Sequence, residues 1–409
     1  MSAKKTENLG VADFEIIETK ADLDALAHDL LSAKTLAIDT EADSFYHYFD
    51  KTCLVQVATR RQIYLIDPLA LGGPAELAPL GPLFASPDIR KIFHAAEYDL
   101  FVLKRDCGFR FQNLFDTMVS AQLLGYPSVG LAGIAERHCG VNLPKEEQRS
   151  DWSRRPLSQR QLSYAAADVL YLMPLAEKLG KELREAKRRR WAQEEFETLC
   201  AREWPEREFD ELGYLRIKGA RRLDSKGLSV LRELYLLRDA RAREVDRPPF
   251  KVLGNRTLLE IAERKPRKLA DLAEIKGITD LLMRRMGREI MAAVRSSRKE
   301  EHGPIPKLAN GRRRMDRQAE RRMAGLKTWR AQRAQDLAMD PGVLAPNSAL
   351  EAIAWRAPQT AKDLGDLPEL KGWFQREFGA EVTQVSREVD EAARSAAQDA
   401  AKDAAKAKP

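Results

Sequence analysis

Asp39 and Glu41 stand one residue apart at the end of the apolar run Leu36–Ile38. Side chains alternate along a strand, so the two carboxylates would point to one face. Such neighbours repel unless something positive lies between them. A divalent cation bound through oxygen, as Mg²⁺ is, would be the natural partner. Two acids at a strand end can equally face solvent, so the pair by itself does not define a site. Tyr164 and Asp168 are spaced i, i+4, which stacks them on one helix face. Ala165, Ala166 and Ala167 between them are small enough to let that face approach a sheet. A tyrosine beside a carboxylate can place a water for attack on phosphorus; the plain alternative is a core tyrosine and an exposed acid. Asp99, in HAAEYDLFVL, lies beside the apolar Leu100, Val102 and Leu103 and could add one more oxygen ligand, though Glu97 is as acidic and as near.

The elements that would carry these groups can be read from periodicity. TLAIDTE, CLVQVAT and QIYLIDP, all within 35–67, predict a hairpin-linked antiparallel start to a sheet. IRKIFHAA predicts a strand with a bend, EYDLFVLKRDCG a helix ending at Gly108, and LFDTMVSAQLLG a helix capped by Asp116. LSQRQLSYAAADVLYLMPLAEKLGKEL has the 3.6-residue period of a long helix. Ser158 and Gln161 form a capping-box pattern at its start, and Pro174 predicts a kink or a break. A mixed α/β domain over 12–185 follows.

Beyond 185 the strand signals stop and an internal repeat begins. At an offset of 92, Leu234, Leu237, Arg238, Arg241, Ala242 and Pro249 fall on Leu326, Trp329, Arg330, Arg333, Ala334 and Pro341. Asn255, Ile261, Ala262, Pro266, Asp271 and Leu272 fall on Asn347, Ile353, Ala354, Pro358, Asp363 and Leu364, and Gly287 and Glu289 on Gly379 and Glu381. This predicts two small all-α bundles at 223–303 and 312–388. A helical linker (186–222) would precede them, a second linker (304–311) separate them, and a low-complexity tail (389–409) end the chain as a frayed or disordered stretch.

The chain has 409 residues, 69 Lys+Arg and 62 Asp+Glu, for a net charge of +7 that divides unevenly: −5 over residues 1–180 and +12 over the rest. An acidic front and a basic back suit metal chemistry in one part and a polyanion in another, with a solvated charged surface as the plain alternative. With 44% hydrophobic residues, wholesale disorder is excluded. No run reaches the roughly 18–20 apolar residues of a membrane span, and the first residues lack the apolar core of a signal peptide. Four cysteines without a CxxC pair predict reduced packing residues and a cytoplasmic protein. The absence of GxxxxGK[ST] removes an ATP-driven motor.

Taken in order, Asp39, Glu41, Asp99, Tyr164 and Asp168 resemble the three exonuclease motifs of the DEDD superfamily in its Tyr-containing branch. FHAAEYDLFVLKRDCG, FDTMVSAQLLG and SDWSRRPLSQRQLSYAAADVLYL are similar to ribonuclease D, and the 92-residue repeats resemble the helicase-and-RNase-D C-terminal (HRDC) domain. The resemblance runs over about 12–385. It implies an RNase H-like 3′–5′ exonuclease domain, a mixed sheet flanked by helices, followed by the two helical bundles. It implies a 3′–5′ exoribonuclease that trims precursor tRNA, and other structured RNAs with single-stranded 3′ tails, to nucleoside 5′-monophosphates. Two divalent ions, Mg²⁺ or Mn²⁺, roughly 3.5–4 Å apart, would be held by Asp39, Glu41, Asp99 and Asp168. Asp39 would bridge both, Glu41 and Asp168 complete the first, and Asp99 support the second, while Tyr164 orients the attacking water. No ATP, membrane or obligate protein partner is implied. A DNA exonuclease of the Werner type and an inert nucleic-acid-binding scaffold are the alternatives.

Nearby residues carry weaker readings. Trp152, Arg154 and Arg155 precede the catalytic helix, where an aromatic and two cations could meet a nucleotide, or could pack and be solvated. Arg312, Arg313, Arg314, Arg317, Arg321 and Arg322 suit phosphate contacts or a solvated face. Capping explains Asp116, and a structural hydrogen bond is the expected role of His94.

Overall fold

A computed structural model describes residues 13–144, 146–205, 208–297, 299, 302–303, 315–365 and 367–406, with side chains to residue 400. The first domain opens with β1 (Phe14–Ile17), α1 (Lys20–Leu30), β2 (Thr35–Ala42), β3 (Thr52–Ala58) and β4 (Ile63–Ile66). Two short helices, α2 (Pro68–Leu71) and α3 (Gly81–Ala85), lead to β5 (Arg90–Phe93). Then come α4 (Glu97–Cys107), β6 (Leu114–Asp116), α5 (Thr117–Leu124), α6 (Leu131–Cys139), α7 (Gln159–Leu170), α8 (Leu172–Glu185) and α9 (Arg189–Ala201).

The strands form one mixed sheet in the order β1-β4-β3-β2-β5-β6. The expected meander is β2-β3-β4, antiparallel throughout, while β5 lies parallel to β2 and β6 parallel to β5. All seven residues of β3 are buried, as expected of a central strand covered on both faces. The edge strand β1 is only four residues long and half exposed, too short to stand out by periodicity. Ser158 caps α7 with the reciprocal bonds of a capping box: it accepts from the Gln161 amide (3.3 Å), and its own amide donates to Gln161 Oε1 (3.0 Å). The predicted break falls at Tyr171, and Pro174 lies in the first turn of α8, where its missing N–H has no helical partner to lose.

The rest is helical: α10 (Ser225–Glu244), α11 (Pro249–Val252), α12 (Asn255–Arg264), α13 (Leu269–Ala273) and α14 (Asp280–Ser297), then α15 (Arg317–Asp336), α16 (Pro341–Leu344), α17 (Asn347–Arg356) and α18 (Gly372–Lys406). The 92-residue register holds atom for atom. Arg238 donates to the Leu253 carbonyl and Asn255 Oδ1; Arg330 donates to the Ala345 carbonyl and Asn347 Oδ1. Asp224 caps α10 through the Gly227 amide, and Asp316 caps α15 through the Ala319 amide. Each long helix ends in a left-handed residue, Asp246 (φ 44°) and Ala338 (φ 45°).

These two turns grip the first domain at different places. The Asp246 carboxylate takes the amides of Tyr48 and Phe49 and pairs with His47 Nδ1 at 2.7 Å. The turn at Ala338 packs on Gly125, where a Cβ would come 1.6 Å from the Ala338 carbonyl oxygen, and Arg188 donates to the Leu337 carbonyl. The repeats also differ in core. The first encloses its own cluster, including Leu231, Leu258 and Ile290, whereas the second shares one continuous core with the exonuclease domain. There Trp373 stacks on Trp191 of α9 with centroids 4.6 Å apart, and its Nε1 donates to Glu195.

Three expectations change. Residues 389–406 continue α18 instead of fraying. Within 186–222, the turns Gly213–Arg216 and Ala220–Arg222 belong to the first repeat's core through Tyr214, Leu215, Ile217 and Ala220. Arg322 is buried against Asp390 (2.8 Å) and the Ala354 carbonyl, so it is not a phosphate contact. The second linker, 304–311, and Arg312, Arg313 and Arg314 lie outside the described residues. No described helix is long and apolar enough to cross a membrane.

Candidate active site

Strand period and helix period meet at one point. Asp39 and Glu41 leave β2 on one face, α7 packs across β2, β3 and β4, and α7 brings Asp168 close to both acids. One carboxylate oxygen from each of Asp39, Glu41 and Asp168 lies within 4.8 Å of the others. Burial raises the pKa of all three, and their shared charge adds to it: Asp168 acts on Asp39, and Asp39, Asp168 and Asp99 act on Glu41. Asp168 is pushed up to about 7, held below that rise in part by the Tyr164 hydroxyl. Three partly desolvated carboxylates converging this closely form a hard oxygen donor set, which fits a divalent cation such as Mg²⁺.

Asp99 stands apart from that trio. It sits in the first turn of α4, buried, and accepts a 2.5 Å hydrogen bond from Thr40 Oγ1. Thr40 lies between the two strand acids and lines the same cleft as they do. Burial and then the charge of Asp39 raise Asp99, so it belongs to the same electrostatic unit although its oxygens are not in the tight group.

The turn that delivers Asp99 is held by Asp116. Its carboxylate caps α5 through the amides of Met118 and Val119 and also takes those of Ala95 (3.1 Å) and Ala96 (2.8 Å). Ala95 has φ 62°, a left-handed conformation that a side chain resists. Capping is therefore only half of what Asp116 does; no sequence signal links it to a loop 20 residues away. His94, in the same turn, bears on the cleft. Its Nδ1 meets Thr117 Oγ1 at 2.9 Å, and that hydroxyl donates to the Phe93 carbonyl. His94 Nδ1 is thus the donor and Nε2 the ring's acceptor. Burial lowers its pKa to about 4, keeping the ring neutral.

Tyr164 is one helical turn before Asp168 and nearly buried. Burial, followed by the charge of Asp168 and Glu41, raises its hydroxyl pKa, so the proton stays on Oη. A cleft of about 410 Å³ opens over these groups, lined also by His94, Ser128, Leu143, Pro144 and Gln148.

The residues before α7 are scaffold rather than substrate contacts. Trp152 is 1% exposed and packs on the Tyr164 ring, centroids 6.1 Å apart. Arg155 is committed to Asp67 (2.7 Å), the Cys53 carbonyl (2.7 Å) and the Trp152 carbonyl (2.8 Å), tying this segment to β3 and the end of β4. Arg154 alone of the three is free to reach solvent, paired loosely with Asp151.

Among known proteins, the 3′–5′ exonuclease family is matched over residues 14–184 and the HRDC domain over 227–294 and again over 319–385. Ribonuclease D of Gluconacetobacter diazotrophicus is 31% identical over 384 residues, 92% of this chain and 94% of that protein. Ribonuclease D of Desulfotalea psychrophila is 31% identical over 340 residues, 83% of this chain and 90% of that one. Among solved structures, Escherichia coli RNase D, described as an exoribonuclease involved in structured RNA processing, superposes with a TM-score of 0.68 at 26% identity, covering 92% of this chain and 99% of its own.

Proposed function

The chain belongs to the ribonuclease D family of 3′–5′ exoribonucleases, and we propose on that footing that it trims the 3′ end of precursor tRNA, releasing nucleoside 5′-monophosphates. The observation that carries the chemistry is the convergence of Asp39, Glu41 and Asp168, half-buried and within 4.8 Å of one another. In this reading those three acids hold one divalent ion, and Asp99, fixed by Thr40, helps to hold a second beside Asp39. Two Mg²⁺ or Mn²⁺ ions would supply Lewis acidity, lowering the pKa of water and neutralising charge on the phosphate and the leaving 3′ oxygen.

The protein's own part is positioning. Tyr164 keeps its proton on Oη, directed at Asp168, and its oxygen can accept from a water held beside that carboxylate. Neutral His94 can accept through Nε2 from a hydroxyl of the bound nucleotide. The cleft volume falls in the range that takes one small ligand-sized unit, which suits removal of one terminal nucleotide at a time. Four unpaired thiols and an RNA substrate both belong to the cytoplasm.

The test compares 5′-labelled RNA and DNA of one sequence with Mg²⁺ and with EDTA, using Asp39→Asn as control. Stepwise shortening of RNA from its 3′ end, lost by at least 10³-fold in the variant and abolished by chelation, is expected. Precursor tRNA with a short 3′ extension is the next substrate. Shortening of DNA alone would overturn the ribonuclease reading, and binding without shortening would leave a scaffold.

A further inference from the structure

The segment ahead of the first repeat reads Arg216-Ile217-Lys218-Gly219-Ala220-Arg221-Arg222, and the structure sorts it sharply. Ile217 and Ala220 are buried in the repeat's core, together with Tyr214 and Leu215 just before them. Every exposed side chain from 216 to 222 is a cation: Arg216, Lys218, Arg221 and Arg222. They surround a hollow of about 400 Å³ whose lining is confined to residues 215–222. None of these residues lines the cleft over Asp39 and Asp168.

This knuckle is anchored rather than loose. Gly219 turns at φ 105°, and a Cβ there would come 2.6 Å from Leu259 Cδ2 of α12. Carbonyls of Ile217 and Gly219 accept from the amides of Ala220 and Arg222. Arg216 is paired with Asp210, and the nearby acid Asp224 is engaged by Lys265 and by the Gly227 amide it caps. Among the described residues, Lys218, Arg221 and Arg222 pair with no carboxylate. Three uncompensated cations on a rigid turn are a poor arrangement for a lone protein and a good one for phosphates, which order Arg and Lys by charge-assisted bonds.

The repeat adds a second observation. Moved by 92 positions, Gly219-Ala220-Arg221-Arg222 falls on Gly311-Arg312-Arg313-Arg314. The same Gly-x-Arg-Arg signature thus precedes the first helix of both repeats, although the packing residues around it have diverged.

We propose that the knuckle at Arg216–Arg222 is a phosphate-backbone site, separate from the catalytic cleft, that holds the body of an RNA whose 3′ tail occupies that cleft. The inference rests on the reading of the substrate as RNA. Contacts of this kind carry no base information; they set affinity and orientation. Their signature is a larger effect on a long substrate than on one too short to touch both sites.

The test uses the full chain and the triple variant Lys218→Glu/Arg221→Glu/Arg222→Glu, with Lys218→Ala/Arg221→Ala/Arg222→Ala as the milder form. The substrates are a stem-loop RNA with a ten-nucleotide 3′ tail and a tetranucleotide. The Glu variant should raise KM for the stem-loop about tenfold or more at unchanged kcat, and leave the tetranucleotide untouched. In anisotropy titrations with EDTA, loss of three phosphate contacts should flatten the slope of log Kd against log salt by about 2–3. An unchanged stem-loop KM and salt slope overturns the proposal, as does an equal loss on both RNAs. If neither RNA is cut by the parent protein, the substrate reading has failed, while the salt slope still reports on the knuckle.

Discussion

Burying Asp39, Glu41 and Asp168 together makes the metal-free protein sensitive to pH in a definite direction. Their pKa values in the folded chain lie above the unfolded value of about 3.9–4.3, so the native state binds more protons than the unfolded one. Stability is therefore greatest below that value and falls as pH rises toward the folded values, about 7 for Asp168. In EDTA, Asp168→Asn should melt higher than the parent at pH 8, by a smaller margin at pH 5, and with little difference below pH 4; scanning fluorimetry reads all three. Added Mn²⁺ should raise the parent's Tm more at pH 8 than at pH 5 and do little for Asp168→Asn. A parent whose gap from the variant does not change with pH would contradict this. The strand pair and the Tyr–Asp helix pair are legible from alternation and the i, i+4 spacing alone. The place of Asp99, behind Thr40 instead of in the tight trio, is not, because it depends on where a helix 59 residues away crosses the strand.

At the scale of elements, the β5–α4 turn deserves its own perturbation. Asp116→Ala removes a cap worth about 0.5–2 kcal/mol and strands the Ala95 and Ala96 amides, at about 1–3 kcal/mol for a buried unmet donor. Urea unfolding should show a loss of about 2–4 kcal/mol, and kcat should fall because Asp99 loses its footing. A variant as stable as its parent would mean the left-handed turn at Ala95 holds without Asp116. Local chemistry marks the elements well here: Gly108 ends α4, Asp116 starts α5, and Ser158 with Gln161 starts α7. The failures are also local. β1 has four residues and borrows its stability from β4, and the break at Tyr171 precedes the proline that signals it.

The whole molecule joins its parts unequally. The repeat is legible because residue types recur at one offset, Leu234 with Leu326, Ile261 with Ile353, and the Arg238–Asn255 pair with Arg330–Asn347; the matching caps and left-handed turns emerge only in the structure. Which repeat merges with the nuclease is not legible, since it depends on a few substitutions between equivalent positions. Trp373, wholly buried on Trp191, corresponds to Leu281, which is 49% exposed. Trp373→Ala should therefore destabilise the chain by about 3–5 kcal/mol and lower the main melting transition of the nuclease itself. Leu281→Ala should stay within about 0.5 kcal/mol. Calorimetry that shows the Trp373 variant melting in a separate minor transition would argue against one continuous core.

The two docking turns have a mechanical corollary. Breaking the grip of Asp246 on His47 would not set the first repeat adrift. The chain enters it from α9, packed on the nuclease, and leaves it toward a repeat anchored there by Trp373. It behaves as a span pinned at both abutments, and its detached turn stays at an effective concentration near millimolar.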